Sequence, residues 1–501
     1  MSEFVHWHNE LSFEALGRRL RSTPMLLLLL LLVVGIVVAD FVLLPSWATG
    51  VALAATLVLC YVARGYAVRW GYLAVAMVLL GYILVELRMP EASMPYNRAM
   101  ELEVDVVGIP SERDGYSVAE GRVVAWREGD EWQCADDRVL LWLRGEGVHS
   151  GDRVVVCGEV QERLSRYEGY DELLRRRGYI GGVGIGDGDV LSVNHSERLG
   201  LHRRAVAKME RYERDSMAHA TVLAMTVGER GAMPRVLRDA YAATGLAHLL
   251  AVSGLHLGVV MMVVLWLLTP LRLIHRGHRI AAMLALVMIW VYALMSGASA
   301  SVVRAAIMLT VLLLAHISSS SRNSVNTLAL TLFVMLVYCP MYLYDISFQL
   351  SALAVAGILL WGVPIVRSVG HKAPLWRMLF STLVVGVVAT LWTLPVVSHT
   401  FGNLPLAGVV ITPVVLIFAY AVVGCGLLAL VLPGVVALPF AWLGEWCAWL
   451  QNGVVLWAAE RGITGVEYRM TTGEVAVWYA VVGVITIVAW SVNRKKVITL
   501  S

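Results

Sequence analysis

The stretch His248-Leu-Leu-Ala-Val-Ser-Gly-Leu-His-Leu-Gly258 sets two histidines and a serine at the head of an apolar run that continues to Leu268. Imidazole can donate, accept or carry a proton, and a serine hydroxyl can donate or attack, so these side chains are the first candidates for chemistry. At 1.5 Å rise per residue the run is long enough to cross a bilayer. Polar groups at that depth are costly unless they face protein or water, so His248, Ser253 and His256 are expected to turn toward a pathway or a neighbouring helix. On a continuous helix the two histidines lie roughly 80° apart, with Ser253 one turn from His256, and can share a face. A zinc pair on a helix wants His at i and i+4, which this spacing does not give. Catalysis by Ser253 needs an oriented base and a third group, and none is visible locally. The plainer rival is packing, with histidines hydrogen-bonded between helices. Gly254 and Gly258 form a small-x-x-x-small pair that lets another backbone approach, and Ser-Gly in mid-span predicts a kink or a broken helix.

Three further stretches carry polar groups into apolar surroundings. Gly297-Ala-Ser-Ala-Ser-Val-Val-Arg304 joins two apolar runs with small residues and one arginine, and a re-entrant loop lining a cavity fits that composition. Arg304 suits a phosphate, because its planar fork matches phosphate oxygens, and equally suits an intramembrane carboxylate, for which Asp345 is the obvious partner. Asp345 and Gln349, at i and i+4, open another span together with Ser351. Ser398, His399, Asn403 and Pro405 lie where Gly402 and two prolines interrupt an apolar pattern, which suits a discontinuous helix. Packing and capping are the simpler roles for all of these.

The elements that must position these residues are mostly membrane helices. Of 501 residues 58% are hydrophobic and 15% charged, and the mean hydropathy is +0.70, which excludes an ordinary soluble domain. Met25 to Val38 is too long and too apolar for a signal-peptide core, and Arg18, Arg19 and Arg21 before it place the N-terminus in the cytoplasm. Further spans are expected from about Trp47 to Val62 and Trp70 to Leu87, so residues 89–200 follow three crossings and fall outside. Residues 201–245 read as an amphipathic helical linker. From 246 onward apolar runs continue to a basic end at Asn493-Arg-Lys-Lys496, giving roughly eleven crossings, some of them broken or re-entrant. His6-Trp-His8 begins like a metallohydrolase motif, but no Asp-His pair follows.

Residues 89–200 are different material. Runs such as Tyr116 to Trp126, Arg138 to Leu143 and Asp152 to Val160 are rich in β-branched and aromatic residues, with Gly and Asp between them. Repeated strand-turn-strand units suit a small Greek-key barrel of the OB type. Trp126, Trp132 and Trp142 are candidate platforms for stacking single-stranded bases, although tryptophan on a strand more often belongs to a core. Residues 91–200 hold 22 acidic residues against 13 arginines and no lysine, a net of −9, which repels phosphate on average. Arg175, Arg176 and Arg177 form a local basic stripe that reads more simply as a solvated turn. Cys134 and Cys157 can bridge if this domain lies in an oxidising compartment; the other four cysteines fall in apolar segments, and no metal spacing appears.

The His248–Gly258 string, Gly297 to Ala305, Asp345-Ile-Ser-Phe-Gln-Leu-Ser351, and Pro395 through Asn403-Leu-Pro405 together resemble the ComEC competence family, in the same order. That resemblance implies an inner-membrane channel passing single-stranded DNA into the cytoplasm during natural transformation, with an OB-like domain outside. It implies a pathway lined by His248, Ser253, Gly254, His256, Gly258, Arg304, Asp345, Gln349, Ser351 and Asn403. Its expected partners are single-stranded DNA, membrane lipid, an external DNA receptor, a separate nuclease, and a cytoplasmic DNA-pulling ATPase or strand-binding proteins. Many members carry a C-terminal metallo-β-lactamase-like domain. No His-x-His-x-Asp-His string occurs here and five residues follow Lys496, so the expectation is a non-enzymatic form without cofactor. The overall expectation is a polytopic α-helical membrane protein with an inserted all-β extracytoplasmic domain, organised as 1–88, 89–200, 201–245 and 246–501. A polytopic solute transporter, favoured by an inverted hydropathy repeat that is not seen, and a membrane-embedded hydrolase using Ser253 and His256 are the alternatives.

Overall fold

A computed structural model of the chain describes residues 23–498, apart from 43, 88–92, 114–115, 130, 145–147, 149–151, 165–170, 172–173, 176–177, 187, 195–199, 251, 275, 298–299, 318–323, 369–373 and 405. The N-terminal arginines, the His6-Trp-His8 string, Arg176, Arg177 and Pro405 thus lie outside the described residues. The chain divides into two compact units, each assembled from separated stretches of sequence: Met1–Glu86, Leu314–Pro413 and Ile463–Ser501 form the first, and Leu87–Leu313 and Val414–Gly462 the second.

The fold is mostly helical, and among the described residues five helices are long and apolar enough to cross a membrane: Tyr66–Glu86, Gly277–Met295, Ile346–Ser368, Phe380–Phe401 and Ile411–Val431. Six shorter apolar helices accompany them, including Pro24–Val38, Gly254–Leu267 and Ser324–Tyr338. Helix Gly434–Glu460 has 27 residues but is not among the five. Its buried face carries Glu445, Gln451 and Asn452, while Trp442, Trp446, Trp449 and Trp457 point outward.

In the first unit, helices Pro24–Val38 and Tyr66–Glu86 cross at Gly35 and Gly81. A Cβ on either glycine would collide with backbone of the other helix, near Val78 and Leu32 respectively, so only glycine permits this approach. Tyr82 ties the following loop down: its hydroxyl donates to the Val42 carbonyl at 2.9 Å and accepts the Leu44 N–H at 2.6 Å. Trp361 and Trp392 meet edge to face at 5.6 Å.

The second unit contains a β-sheet and a group of helices. The strands are β1 (Ala99–Arg113), β2 (Tyr116–Arg127), β3 (Trp132–Leu143), β4 (Arg153–Gln161), β5 (Tyr179–Ile185) and β6 (Val190–Asn194). Their order is β1-β2-β3-β5-β4-β6, and β1 also pairs with β4, so five strands close into a ring with β6 appended. All pairs are antiparallel except β3 with β5. Alternating residues point inward: Leu102, Val104 and Val106 of β1, Val139 and Leu141 of β3, and Val154 and Val156 of β4 form a closed apolar core.

At the centre of the helical part, Ser216–Thr226 is buried from Ala218 to Thr226. Asp215 caps it by accepting the Ala218 N–H at 2.7 Å. Lys208, on helix Gly200–Glu210, donates to the carbonyls of Leu430 at 2.6 Å and Leu432 at 2.7 Å and so caps the end of helix Leu406–Val431.

Candidate functional site

The chain does not pass through His248 and His256 as one helix. A short helix, Ala247–Leu250, stops, Ser253 is extended (φ −127, ψ 177), and a new helix runs from Gly254 to Leu267. The break expected from Ser-Gly is present, and the angular relation drawn from a continuous helix therefore does not hold. Ser253 and His256 form a capping box in which the imidazole takes the place usual for Glu or Gln. His256 Nδ1 accepts the Ser253 N–H at 3.0 Å and lies 2.9 Å from Ser253 Oγ. A ring nitrogen that accepts carries no hydrogen, so the imidazole proton sits on Nε2. His256 is fully buried, and Nε2 has no hydrogen-bond partner.

His248 is accessible, with Nδ1 donating to the Gly245 carbonyl at 3.1 Å. Gly254 approaches Ala305, whose Cβ would lie 3.5 Å from an added methyl, whereas a methyl added at Gly258 would meet no other element within 4 Å. The small-x-x-x-small pair is thus used at one glycine only, and the tight glycine crossing is Gly35 with Gly81. Arg304, on helix Ala300–Ile317, is 5% exposed.

These residues, His248 through Arg304, belong to the second unit; Asp345, Gln349, Ser351 and Asn403 belong to the first. There the polar side chains secure local structure. Asp345 is the N-cap of helix Ile346–Gly357 and accepts the Phe348 N–H at 3.0 Å, while Gln349 donates to the Leu343 carbonyl at 2.9 Å, closing the preceding 3-10 turn. Ser351 is half-buried on the same helix. Asn403 pairs with Glu467 in the two-residue strands β7 (Asn403–Leu404) and β8 (Val466–Glu467), and its side chain fills the space beside Gly465. Ser398 Oγ donates to the Tyr468 carbonyl and His399 Nδ1 to that of Met470, so the end of helix Pro374–Phe401 clamps the 466–474 segment.

On the β-sheet ring the three tryptophans separate. Trp126 is 7% exposed and belongs to the core, because a register shift between Val123 and Ala125 sets it opposite Leu102 on the inner face. Trp142 is half-buried with its ring against Gly182 of β5, where a Cβ would strike it. Trp132 is exposed, and the Arg127 guanidinium lies 4.9 Å from its ring centroid. Of the three, Trp132 alone presents an accessible face. Cys134 and Cys157 are free and exposed, on β3 and β4, which do not pair with each other; sheet order keeps them apart, and no bridge forms.

Sequence reasoning overlooked two groups. The first is a buried polar network between helices Ser216–Thr226 and Gly434–Glu460. His219 Nδ1 meets Glu445 Oε1 at 2.7 Å, and Asn452 Oδ1 accepts from Thr221 at 3.1 Å and Tyr241 at 3.0 Å. Gln451 donates to the Tyr241 hydroxyl oxygen at 2.8 Å. A lone carboxylate in the otherwise apolar run Val436 to Ala459 was the signal available. The second is the turn at Glu229–Arg230, where Glu229 Oε2 stands 3.2 Å from His202 Nε2. That hydrogen bond is the leading reason the Glu229 carboxyl is held below the usual carboxylate range, against the desolvation that raises it.

The comparisons with known proteins fall on this same region. The competence protein family matches residues 225–494, more than half of the chain, from the end of the buried helix through the His248–His256 break to the last helix. ComE operon protein 3 of Bacillus subtilis is 30% identical over 188 residues, 38% of this chain and 23% of that protein. An uncharacterised protein of Aquifex aeolicus is 31% identical over 232 residues, 46% of this chain and 52% of the relative. Recombination protein 2 of Haemophilus influenzae is 29% identical over 146 residues, 28% of this chain and 18% of that protein. The chain thus matches at most about half the length of these curated relatives, and no solved structure matches it significantly. With the family match spanning every element that carries the broken-helix site and its neighbours, the chain belongs to the ComEC competence family.

Proposed function

We propose that this protein is an inner-membrane channel that passes single-stranded DNA into the cytoplasm during natural transformation. The observation that carries the reading is the break between Leu250 and Gly254, inside the family-matched region. Non-helical backbone among apolar helices is tolerated where it lines protein or water, and here it separates an accessible His248 from a fully buried His256. His248, Ser253, His256 and Arg304 line the pathway; Asp345, Gln349, Ser351 and Asn403 shape its other elements through the caps and clamps described above.

The ring order β1-β2-β3-β5-β4-β1, with β3 and β5 parallel, supports an OB-like reading of the β domain. In that reading the domain sits outside the cytoplasm at the channel mouth, with the N-terminus inside, and Trp132 offers the stacking face. An external receptor, a separate nuclease and a cytoplasmic ATPase or strand-binding protein complete the machinery.

The test is a deletion strain fed labelled DNA. Label held outside the inner membrane, with uptake restored by the intact gene, is the expected result; normal cytoplasmic entry without the protein overturns the reading. The contact between Ser253 Oγ and His256 Nδ1 invites a second reading as a hydrolase. Against it, the same Nδ1 accepts the Ser253 N–H, and His256 Nε2 has no carboxylate to orient it. A Ser253→Ala variant that keeps DNA uptake, apart from the loss of about 1 kcal/mol for a missing cap, dismisses the hydrolase.

A further inference from the structure

Helix Gly434–Glu460 has two unlike faces. Its buried face carries Glu445, Gln451 and Asn452, which hydrogen-bond to His219, Tyr241 and Thr221. Its other face carries Trp442, Trp446, Trp449 and Trp457, which are 39%, 58%, 57% and 53% exposed. At 3.6 residues per turn the four indoles fall within an arc of about 80°, so they form one stripe along the helix. The buried polar network thus fixes which way the stripe faces. A single exposed tryptophan needs no account, but a contiguous exposed aromatic surface marks an interaction site.

An arginine lies on the indole at each end of the stripe. The guanidinium carbon of Arg214 stands 3.8 Å from the Trp442 ring centroid, and that of Arg461 stands 5.8 Å from the Trp457 ring. Both arginines are exposed, and among the described residues neither has a carboxylate within ion-pair distance. A guanidinium laid on a ring keeps its N–H edge free for phosphate oxygens. All six residues belong to the second unit.

A lipid-facing stripe would be laid out differently. Trp442 and Trp457 are fifteen residues apart in sequence, about 22 Å along the axis. The hydrocarbon core is about 30 Å thick. With both guanidinium groups held against these rings, lipid on this face would leave at least one at hydrocarbon depth, where an unpaired charge is costly. Interfacial tryptophans gather in two belts at the membrane surfaces, whereas Trp446 and Trp449 occupy the middle of this stripe. Beside Trp442 the chain also exposes Arg211, Glu213 and Asp215, which require water. Aromatic faces with flanking unpaired cations, set in water, are complementary to a single nucleic-acid strand.

We infer that this face is a stacking track for single-stranded DNA, with bases on the four indoles and backbone phosphates on Arg214 and Arg461. The inference rests on the channel reading and gives it a contact surface on a helix inside the family-matched region. Successive indoles from Trp442 to Trp449 step by about 6 and 4.5 Å along the axis. Both steps exceed the roughly 3.4 Å of a strand in a duplex, so the track suits a drawn-out strand in which each base meets its own indole. Gly453 lies on the same face, and a Cβ there would meet nothing within 4 Å, which leaves the gap between Trp449 and Trp457 open. Stacking is tolerant of sequence because every base has a π face.

The experiment uses the purified full-length protein in nanodiscs with oligothymidylate carrying 5-iododeoxyuridine. Ultraviolet crosslinking of the wild type, read by mass spectrometry, should place the strand on peptides that contain Trp442 to Trp457, and this arm needs no variant to fold. Binding is then titrated over a range of salt, with thermal midpoints alongside, for wild type, Trp446→Ala, Trp449→Ala, their double variant and Arg214→Gln. Each alanine should weaken binding about tenfold, within the range of one base–aromatic stack, while Trp446→Phe keeps most of the affinity. Arg214→Gln should reduce the salt slope by about 0.7, the value for one phosphate of a single strand. Crosslinks confined to other segments, or wild-type affinity in the double alanine variant, would overturn the track and leave the channel standing. Labelling of Trp446 or Trp449 by a phospholipid with a photoreactive acyl chain would assign the face to lipid and overturn the inference equally. Absence of salt-dependent strand binding by the wild type would overturn both the track and the channel reading beneath it.

Discussion

His219 Nδ1 and Glu445 Oε1 meet at 2.7 Å between two helices, at 3% and 6% exposure, and the same carboxylate oxygen accepts the Arg214 N–H at 3.3 Å. Removing one partner of such a pair strands the other's polar group, whereas a neutral isostere keeps the bond. Glu445→Ala should therefore destabilise the protein by about 3–5 kcal/mol. Glu445→Gln, whose amide oxygen still accepts from His219, should cost about 1 kcal/mol. Thermal midpoints in detergent separate the two, and equal losses would show that keeping the volume and the acceptor oxygen recovers nothing, against the hydrogen-bond account.

Asn452 gives an independent reading of the same network. Its Oδ1 receives two hydroxyl donors, Thr221 and Tyr241, both buried. Asn452→Leu leaves the Tyr241 hydroxyl without this acceptor and the Thr221 hydroxyl with only the Met217 carbonyl at 3.2 Å, at a cost of about 1–3 kcal/mol for the orphaned donor. A double variant, Asn452→Leu with Thr221→Val, should lose less than the sum of the two single changes, because the contact they share is removed only once. Additive losses in the double variant would rule out the shared contact.

How far the sequence revealed this arrangement depended on the range of the physics involved. The β domain was legible because alternation and turn residues are local, and the broken helix because Ser253 and Gly254 carry a cap and a helix start within a few residues. Gly258 misled because a small-x-x-x-small spacing marks what can approach, not what does. The spacing of Asp345 and Gln349 gave only a shared helix face; that they bond backbone within six residues was not legible, because it depends on the 3-10 turn before the helix. Glu229 was indistinguishable from a solvated turn residue, since what holds it is His202, which is tied in turn to a helix ending at Met295, both remote in sequence. The interleaving of the two units was illegible for the same reason.

The cysteines test the placement of the β domain. Cys134 and Cys157 are exposed free thiols, whereas Cys447 is buried and Cys60, Cys339 and Cys425 are half-buried. A membrane-impermeant maleimide should modify Cys134 and Cys157 in intact spheroplasts without reductant, read by mass spectrometry of the labelled peptides. Labelling that requires prior reduction would mean a bridge, and labelling that requires lysis would put the domain in the cytoplasm.

The Glu229 carboxyl titrates lower than usual, chiefly through its hydrogen bond with His202 and secondarily through backbone N–H groups. For an acid depressed in the folded state, the stabilisation is fully present above the ordinary carboxylate value and disappears as pH falls through the folded value. The difference in thermal midpoint between wild type and Glu229→Gln should thus be full near neutrality and shrink on acidification below the usual carboxylate range. Replacing His202 with Ala removes the leading cause of the depression, so in that background the Glu229→Gln difference should become smaller and flatter with pH. A difference that widens as pH falls would carry the opposite sign and would mean that Glu229 is protonated more readily in the folded protein than out of it.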